Sequence, residues 1–372
     1  MTEIPRGVLP AQSLEALIAA GAIRARAPVS AGQIQPSSID LRLGSEAYRV
    51  RASFLATGSA TVTSKIEQYR LHTLNLSNSA VLEKGCVYII PLQEELALPA
   101  GISGKANPKS STGRLDIFTR LITDEGRQFE IVPPGYKGRL FAEVVPRTFS
   151  VVVRESDRLS QLRLFQGEYE PSDILLRQVE SEETLVYLDD MPGEPKIQNG
   201  LRLSVDLAGI DGSPVIGYRA RKHAPLIDLA KLQYYDPEEF WYPIRRNETR
   251  TLILDPEDFY ILTSREKVRI PAQYAAEMVP FDPTIGEFRI HYAGFFDPGF
   301  GYGAGEINGT RAVLEVRSHE VPFILEDGQT VASLVFEKLL ERPRMLYGEG
   351  IGSSYQRQGL KLSKHFRNAA NG

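Results

Sequence analysis

Two carboxylates lie inside apolar runs. In Arg139–Val145 (RLFAEVV), strand alternation puts Phe141, Glu143 and Val145 on one face and Leu140, Ala142 and Val144 on the other. Burial among hydrophobes favours a protonated carboxyl, which suits a group that takes and returns a proton near neutrality. Glu315 in RAVLEVRS has the same setting, with Val313 and Arg317 on its face. The plain alternative is that each glutamate pairs with an arginine or faces solvent at a sheet edge. A third segment, Lys109-Ser110-Ser111-Thr112-Gly113-Arg114 (KSSTGR), joins small hydroxyl residues to a base at each end. Its N–H groups and hydroxyls could hold phosphate oxygens while Lys109 and Arg114 neutralise charge. The segment lacks P-loop spacing, and a solvated turn is its plain alternative.

Such groups must be positioned by strands. Thirty-one glycines and 24 prolines are spread along the 372 residues and separate short runs rich in Val, Ile, Leu, Phe and Tyr. The spacing predicts a mainly β protein, with strands over Val87–Pro91, Arg139–Val145, Phe259–Thr263, Phe288–Tyr292, Arg311–Val316 and Val331–Phe336. Helical periodicity is confined mainly to Ser13–Ala20, where Leu14, Leu17 and Ile18 share a face and Ser13 can cap.

The chain also reads as a duplication. Val81–Pro108 lies over Ile253–Pro280 without a gap, matching Leu82 with Leu254, Tyr88 with Tyr260, Ile89 with Ile261 and Glu94 with Glu266. Upstream, Ser38–Leu41 mirrors Ser204–Leu207, and Tyr48–Arg51 mirrors Tyr218–Arg221. Downstream, Pro134-Gly135 mirrors Pro298-Gly299, and the segment ending at Phe165 mirrors that ending at Phe336. The boundary is expected near Tyr169–Gly200, where EYEPSD (168–173) and DDMPGEPKIQNG (189–200) look like loop and linker, with domains 1–185 and 186–372.

Composition narrows the function. Forty-three Lys plus Arg against 47 Asp plus Glu, net −4, leave no basic footprint for a nucleic-acid polymer. The single Cys86 rules out an intramolecular disulfide and a Cys-rich zinc site, pointing to a reducing cytoplasm. No 18-residue apolar run and no signal-peptide core are present, so no membrane partner is expected.

Gln35–Gly44 (QPSSIDLRLG), the Leu82–Pro99 strand pair, KSSTGR, Pro133–Glu143 (PPGYKGRLFAE) and the stretch Ser354–Ser363 resemble, in that order, the deoxycytidine triphosphate (dCTP) deaminases of the dUTPase-like superfamily. The chain is most similar to a long, duplicated bacterial form. The resemblance implies two tandem distorted β-barrels, jelly-roll-like, with a short N-terminal helix and with sites at subunit or repeat interfaces. Mg2+ would accompany the triphosphate, without zinc. Lys109, Ser110, Ser111 and Arg114 match the nucleotide-binding segment, Glu143 matches the catalytic glutamate with Glu315 as its second-copy counterpart, and Tyr355 and Gln358 match the tail that closes over nucleotide. Two positions depart from the family. Its aspartate in D-P-G is Pro133 in the first copy but Asp297 in the second, and its lysine before the tail tyrosine is Ser354. The second copy also has FDPTIG (281–286) where the first has KSSTGR. Which copy carries the site, or whether it draws on both, stays open.

The implied reaction is hydrolysis of dCTP to dUTP and ammonia in the supply of dUTP and dTTP, with possible regulation by dTTP and a trimer-based homo-oligomer by analogy. Most nucleobase deaminases use a His/Cys/Cys zinc, which one cysteine cannot supply. The expected agent is Glu143 activating water for attack at cytosine C4, with Ser111 and Arg114 holding water and glutamate. One rival is dUTP diphosphatase activity, alone or combined with deamination, in which Asp297 activates water and the glycine-rich stretch 347–354 covers phosphate. Another is a non-catalytic nucleotide-binding protein. His72, His223, His291, His319 and His365 show no metal-ligand spacing, and Trp241 in EEFWYPIRR reads as core before it reads as a base-stacking residue.

Overall fold

The structure, a computed structural model, describes residues 6–58, 60–124, 126–167, 172–280, 288–290, 294–302, 307–318, 320–348 and 358–368, with 280 and 288–290 described by backbone alone. It is mainly β and divides into two compact units. The first comprises Met1–Tyr169, Pro225–Tyr234 and Leu339–Arg344; the second comprises Glu170–Ala224, Tyr235–Lys338 and Met345–Gly372.

In the first unit, one sheet orders Ile131–Val132, Ile102–Pro108, Arg158–Gln166, Ser38–Arg42 and Ile34–Gln35. A second orders Ile117–Thr123, Lys137–Pro146, Val87–Ala97, Glu46–Val50 and Arg70–Asn75. The Lys137–Pro146 strand is buried on both faces over Leu140–Val144, as its continuous apolar run requires. Leu140, Ala142 and Val144 face one way. On the opposite face Phe141, Ile89 and Ile122 join Ala56, Val62 and Ile66. Val62 and Ile66 come from a helix over Val62–Tyr69, where Thr61 Oγ1 caps by accepting the Ser64 N–H at 3.1 Å. A third, small sheet pairs Val151–Val153 antiparallel with Ala80–Leu82 and parallel with Ile227–Asp228.

In the second unit, one sheet orders Met191–Pro192, Val186–Leu188, Phe259–Val268, Val215–Ala220 and Trp241–Arg245. Thr310–Ser318 pairs with both Phe259–Val268 and Phe288–Ile290. Another orders Leu201–Ser204, Thr330–Lys338, Tyr274–Pro280 and Phe295–Phe296, and a ribbon joins Thr251–Leu254 to Phe323–Glu326. Its core gathers Leu203, Tyr260, Leu262, Leu314, Leu334 and neighbours.

The registers of the two units correspond. Ile89 opposes Glu143 and Ile261 opposes Glu315; Leu82 opposes Val151 and Leu254 opposes Phe323; Ala106 opposes Leu162 and Met278 opposes Leu334. Each second-unit residue lies 172 positions after its counterpart. Tyr88 Oη accepts the Glu83 N–H at 3.0 Å, and Tyr260 Oη accepts the Asp255 N–H at 2.9 Å. Upstream the pairing differs from the sequence match. Glu94 Oε2 accepts the Arg42 N–H and Glu266 Oε2 accepts the Ser204 N–H, each at 2.8 Å, so Ser204 answers Arg42 and not Ser38. Asp206 therefore answers Gly44, whose N–H reaches Pro91 O as that of Asp206 reaches Thr263 O. The repeated S-x-D-L letters are four residues out of register with the strands. Downstream, Phe336 opposes Ala276 as Leu164 opposes Gly104, so Phe336 answers Leu164 and not Phe165.

Other expectations shift as well. The N-terminal helix spans Ala11–Ala19 with Pro10 at its N-cap, and Ser13 lies inside it because the Pro10 carbonyl accepts the Ser13 and Leu14 N–H groups. Between the two loop-like segments the chain is helical over Asp173–Glu182, capped by Ser172 Oγ, which accepts the Leu175 N–H. Its Leu176 and Val179 enter the second core. The change from first to second unit comes at 169/170, ahead of this helix and at the start of the stretch 169–200. No helix among the described residues is long and apolar enough to cross a membrane.

Candidate active site

Four strands carry one row of side chains across the first unit: Tyr48, Ile89, Glu143 and Arg120 oppose one another in turn. Glu143 is fully buried. Arg120 donates to its Oε1 from Nε at 3.0 Å and from Nη2 at 2.5 Å. The Arg120 guanidinium lies 3.4 Å from the Phe129 ring centroid and 4.7 Å from that of Phe118, and Nη2 also reaches Ser53 Oγ at 3.0 Å. Stacking and hydrogen bonds thus fix the cation over the carboxylate. Glu143 Oε2 is buried and makes no hydrogen bond. The arginine-paired alternative is the one observed for Glu143. Arg120 escaped the sequence reading because a cross-strand partner 23 residues away leaves no local signal.

The phosphate-binding candidates follow the Ile102–Pro108 strand. Lys109 leads into a short turn of helix over Ser110–Gly113. Its Nζ pairs with Asp40 Oδ2, and Arg158 Nη1 is 3.6 Å from the same oxygen. Ser111 and Arg114 are buried, while Ser110 is half-buried, so the segment is a folded turn and not a solvated one. The Ser110–Gly113 turn packs against the Ile117–Thr123 strand, the neighbour of the strand that bears Glu143.

In the second unit the row is Tyr218, Ile261 and Glu315. Glu315 is 5% exposed. Gln358 Nε2 donates to the carbonyl of Arg311 at 3.1 Å, on the strand that carries Glu315. Gln358 and Tyr218 line a cavity of about 590 Å3 with Ser213, Lys361 and Arg367. Asp297 is buried and begins a turn in which Gly299 has φ +90°; Gly135 of the first unit has φ +71°, and both conformations favour glycine. Tyr355 and FDPTIG lie outside the described residues. A smaller cavity of about 400 Å3 in the first unit is lined by Arg24, Arg26, Tyr48 and Arg139 together with Glu46 and Glu95. Trp241 is core: it packs against Phe259 and Phe366 at 6.0 Å. Among the described residues no three or more His, Cys, Asp or Glu converge as a metal site.

The chain matches the N-terminal domain of the 2'-deoxycytidine 5'-triphosphate deaminase family over residues 5–168 and its C-terminal domain over 172–366. A "dCTP deaminase, dUMP-forming" of Halobacterium salinarum is 34% identical over 110 residues, covering 28% of this chain and 52% of that protein. A protein of the same description from Parafrankia is 29% identical over 163 residues, covering 43% and 76%. The match spans about half the length of the Halobacterium relative. The crystal structure of 2'-deoxycytidine 5'-triphosphate deaminase from Agrobacterium tumefaciens is 50% identical, with a TM-score of 0.86, over 90% of this chain and 100% of that one. With both domains matched in order, the chain belongs to the 2'-deoxycytidine 5'-triphosphate deaminase family.

Proposed function

We propose that the protein hydrolyses dCTP to dUTP and ammonia, with Glu315 as the carboxylate that activates water. The observation that carries this assignment is the anchoring of Gln358, a residue of the nucleotide-closing tail, on the very strand that bears Glu315. Asp297, the aspartate of D-P-G, belongs to the same unit. In the reaction the water oxygen bonds to C4 as Glu315 takes one of its protons and delivers it to N3. The second water proton then passes to N4, the C4–N4 bond breaks with its electron pair on nitrogen, and ammonia leaves behind a C4 carbonyl. Lys109, Ser110, Ser111 and Arg114 are assigned, by residue type, to phosphate oxygens of nucleotide bound by the first unit. Magnesium enters as part of the substrate, held by the triphosphate.

The corresponding registers support reading the units as two copies of one dUTPase-like barrel. We further propose a homo-oligomer, built on a trimer, in a reducing cytoplasm. A second reading, in which pyrophosphate also leaves to give dUMP, is favoured by the "dUMP-forming" description of several relatives. Measuring ammonia and pyrophosphate separately from dCTP and from dUTP tests both. Ammonia without pyrophosphate supports deamination alone, both products support the second reading, and nucleotide binding without either would contradict both.

A further inference from the structure

Where the first unit has KSSTGR, the second has FDPTIG, which contains no Lys or Arg. A triphosphate bound beside Glu315 therefore needs cations from another part of the second unit. The row Tyr218–Ile261–Glu315 gives the direction in which to look. Residues directly opposed in a sheet share a face, so Tyr218 lies on the face of Glu315, two strands away, at about 9–10 Å for ordinary strand spacing. That span is comparable to the reach from a cytosine ring to the phosphates of its nucleotide. Tyr218 lines the cavity of about 590 Å3 together with Ser213, Gln358, Lys361, Ser363 and Arg367. Among the described residues this lining holds two cations, three hydroxyls and no carboxylate, a composition suited to a polyanion. The first-unit cavity beside Tyr48 differs, because Glu46, Glu95 and Glu155 balance its Arg24, Arg26 and Arg139.

The fold fixes both walls of the second-unit cavity. Arg311 Nη1 donates to Asp206 Oδ2 at 2.7 Å, and Asp206 Oδ1 accepts the Ala208 and Gly209 N–H groups at 2.9 Å, setting the bend that leads to Ser213. In the tail, Gln358 is bonded to the Arg311 carbonyl, and the Phe366 ring packs edge-on against Phe240 and Trp241. Lys361 and Ser363 lie between these two anchors, and the Arg367 N–H donates to the Tyr235 carbonyl at 2.9 Å. Resting on the reading of Glu315 as the deaminating carboxylate, we propose that Lys361 and Arg367 hold the substrate triphosphate in the second unit, with the Ser213 and Tyr218 hydroxyls donating to its oxygens. They take there the role assigned to KSSTGR in the first unit. The tail then supplies the charge of the site as well as its closure.

The test follows ammonia release from dCTP by the full-length protein as wild type, as the neutral double variant Lys361→Met/Arg367→Met, and as the charge-conserving swap Lys361→Arg/Arg367→Lys, with circular dichroism confirming folding. The expected result is a KM for dCTP raised about tenfold or more in the neutral variant with kcat within about threefold, because the phosphates do not react and are held equally in ground and transition states. The swap should bring KM back to within about threefold of wild type, a rescue that a merely structural role would not give. Should the neutral double variant fail to fold, Lys361→Met and Arg367→Met singly should each raise KM about threefold or more. A folded neutral double variant whose KM rises by less than about tenfold, or a rise that the swap leaves in place, would overturn the inference while leaving the deaminase reading intact. No ammonia from wild type would overturn the deaminase reading and this assignment together.

Discussion

Arg120 donates twice, from Nε and Nη2, to a single oxygen of Glu143 directly across the strand pair Ile117–Thr123 and Lys137–Pro146. Removing the cation strands a fully buried carboxylate. Arg120→Ala should therefore cost about 3–5 kcal/mol of stability, read from the urea midpoint of the intact chain. A change below about 1 kcal/mol would mean that the pair is open to water.

Lys109 Nζ is paired with Asp40 Oδ2, a carboxylate with which a bound phosphate would compete. Lys109→Met should weaken equilibrium binding of dCTP about tenfold, equivalent to about 1.4 kcal/mol, as read by titration calorimetry. Asp40→Asn removes the competitor and should not weaken it. Unchanged affinity in Lys109→Met would remove the lysine from phosphate binding.

Asp228 ties the Ile227–Asp228 strand to the first unit through Arg154, at 2.5 and 2.9 Å. Hydrogen bonding from Arg154 holds its carboxyl below the usual aspartate range, with partial burial opposing. A lowered folded pKa gives stability that is present above the unfolded value near 3.9 and disappears as pH falls through the folded value. The pair is partly exposed, so the effect is about 0.5–1 kcal/mol. Asp228→Asn should destabilise at pH 6 and converge with wild type at the acidic end of urea titrations.

Glu180 behaves oppositely. Burial pushes its carboxyl up, against the Leu185 N–H that it accepts at 2.8 Å. Folding then favours the protonated form, so its contribution is best at low pH and declines as pH rises through the unfolded and then the folded pKa. Glu180→Gln keeps an acceptor without the charge. At pH 7 it should stabilise by roughly half a kcal/mol, discounted for its partial exposure, and the gain should vanish near pH 4.

How much was legible in sequence depended on whether a signal was local. The strands around Tyr88 and Tyr260 were readable because period-two runs bounded by glycine and proline report their own burial, and the gapless match of Val81–Pro108 with Ile253–Pro280 carried the register with it. The S-x-D-L match misled because identical letters do not fix a strand's pairing; the N–H groups of Arg42 and Ser204, bonded to Glu94 and Glu266, do. The Asp173–Glu182 helix was hidden by its weak apolar stripe, in which Leu176 and Val179 bury but Ile174 is 83% exposed. Ile227–Asp228 gave no strand signal because two residues carry no periodicity, and its place is set by Val151 and Val152 far upstream. At the candidate site the glutamates and KSSTGR stood out by residue type. Arg120 and Asp40 did not, because their roles exist only once distant strands meet.

The central claim is most directly tested by the rate of ammonia release from dCTP in Glu315→Gln against wild type, with circular dichroism confirming that both are folded. The account predicts ammonia in step with dCTP loss for wild type and a fall of at least about a thousandfold for the variant. Undiminished ammonia release by folded Glu315→Gln would contradict it.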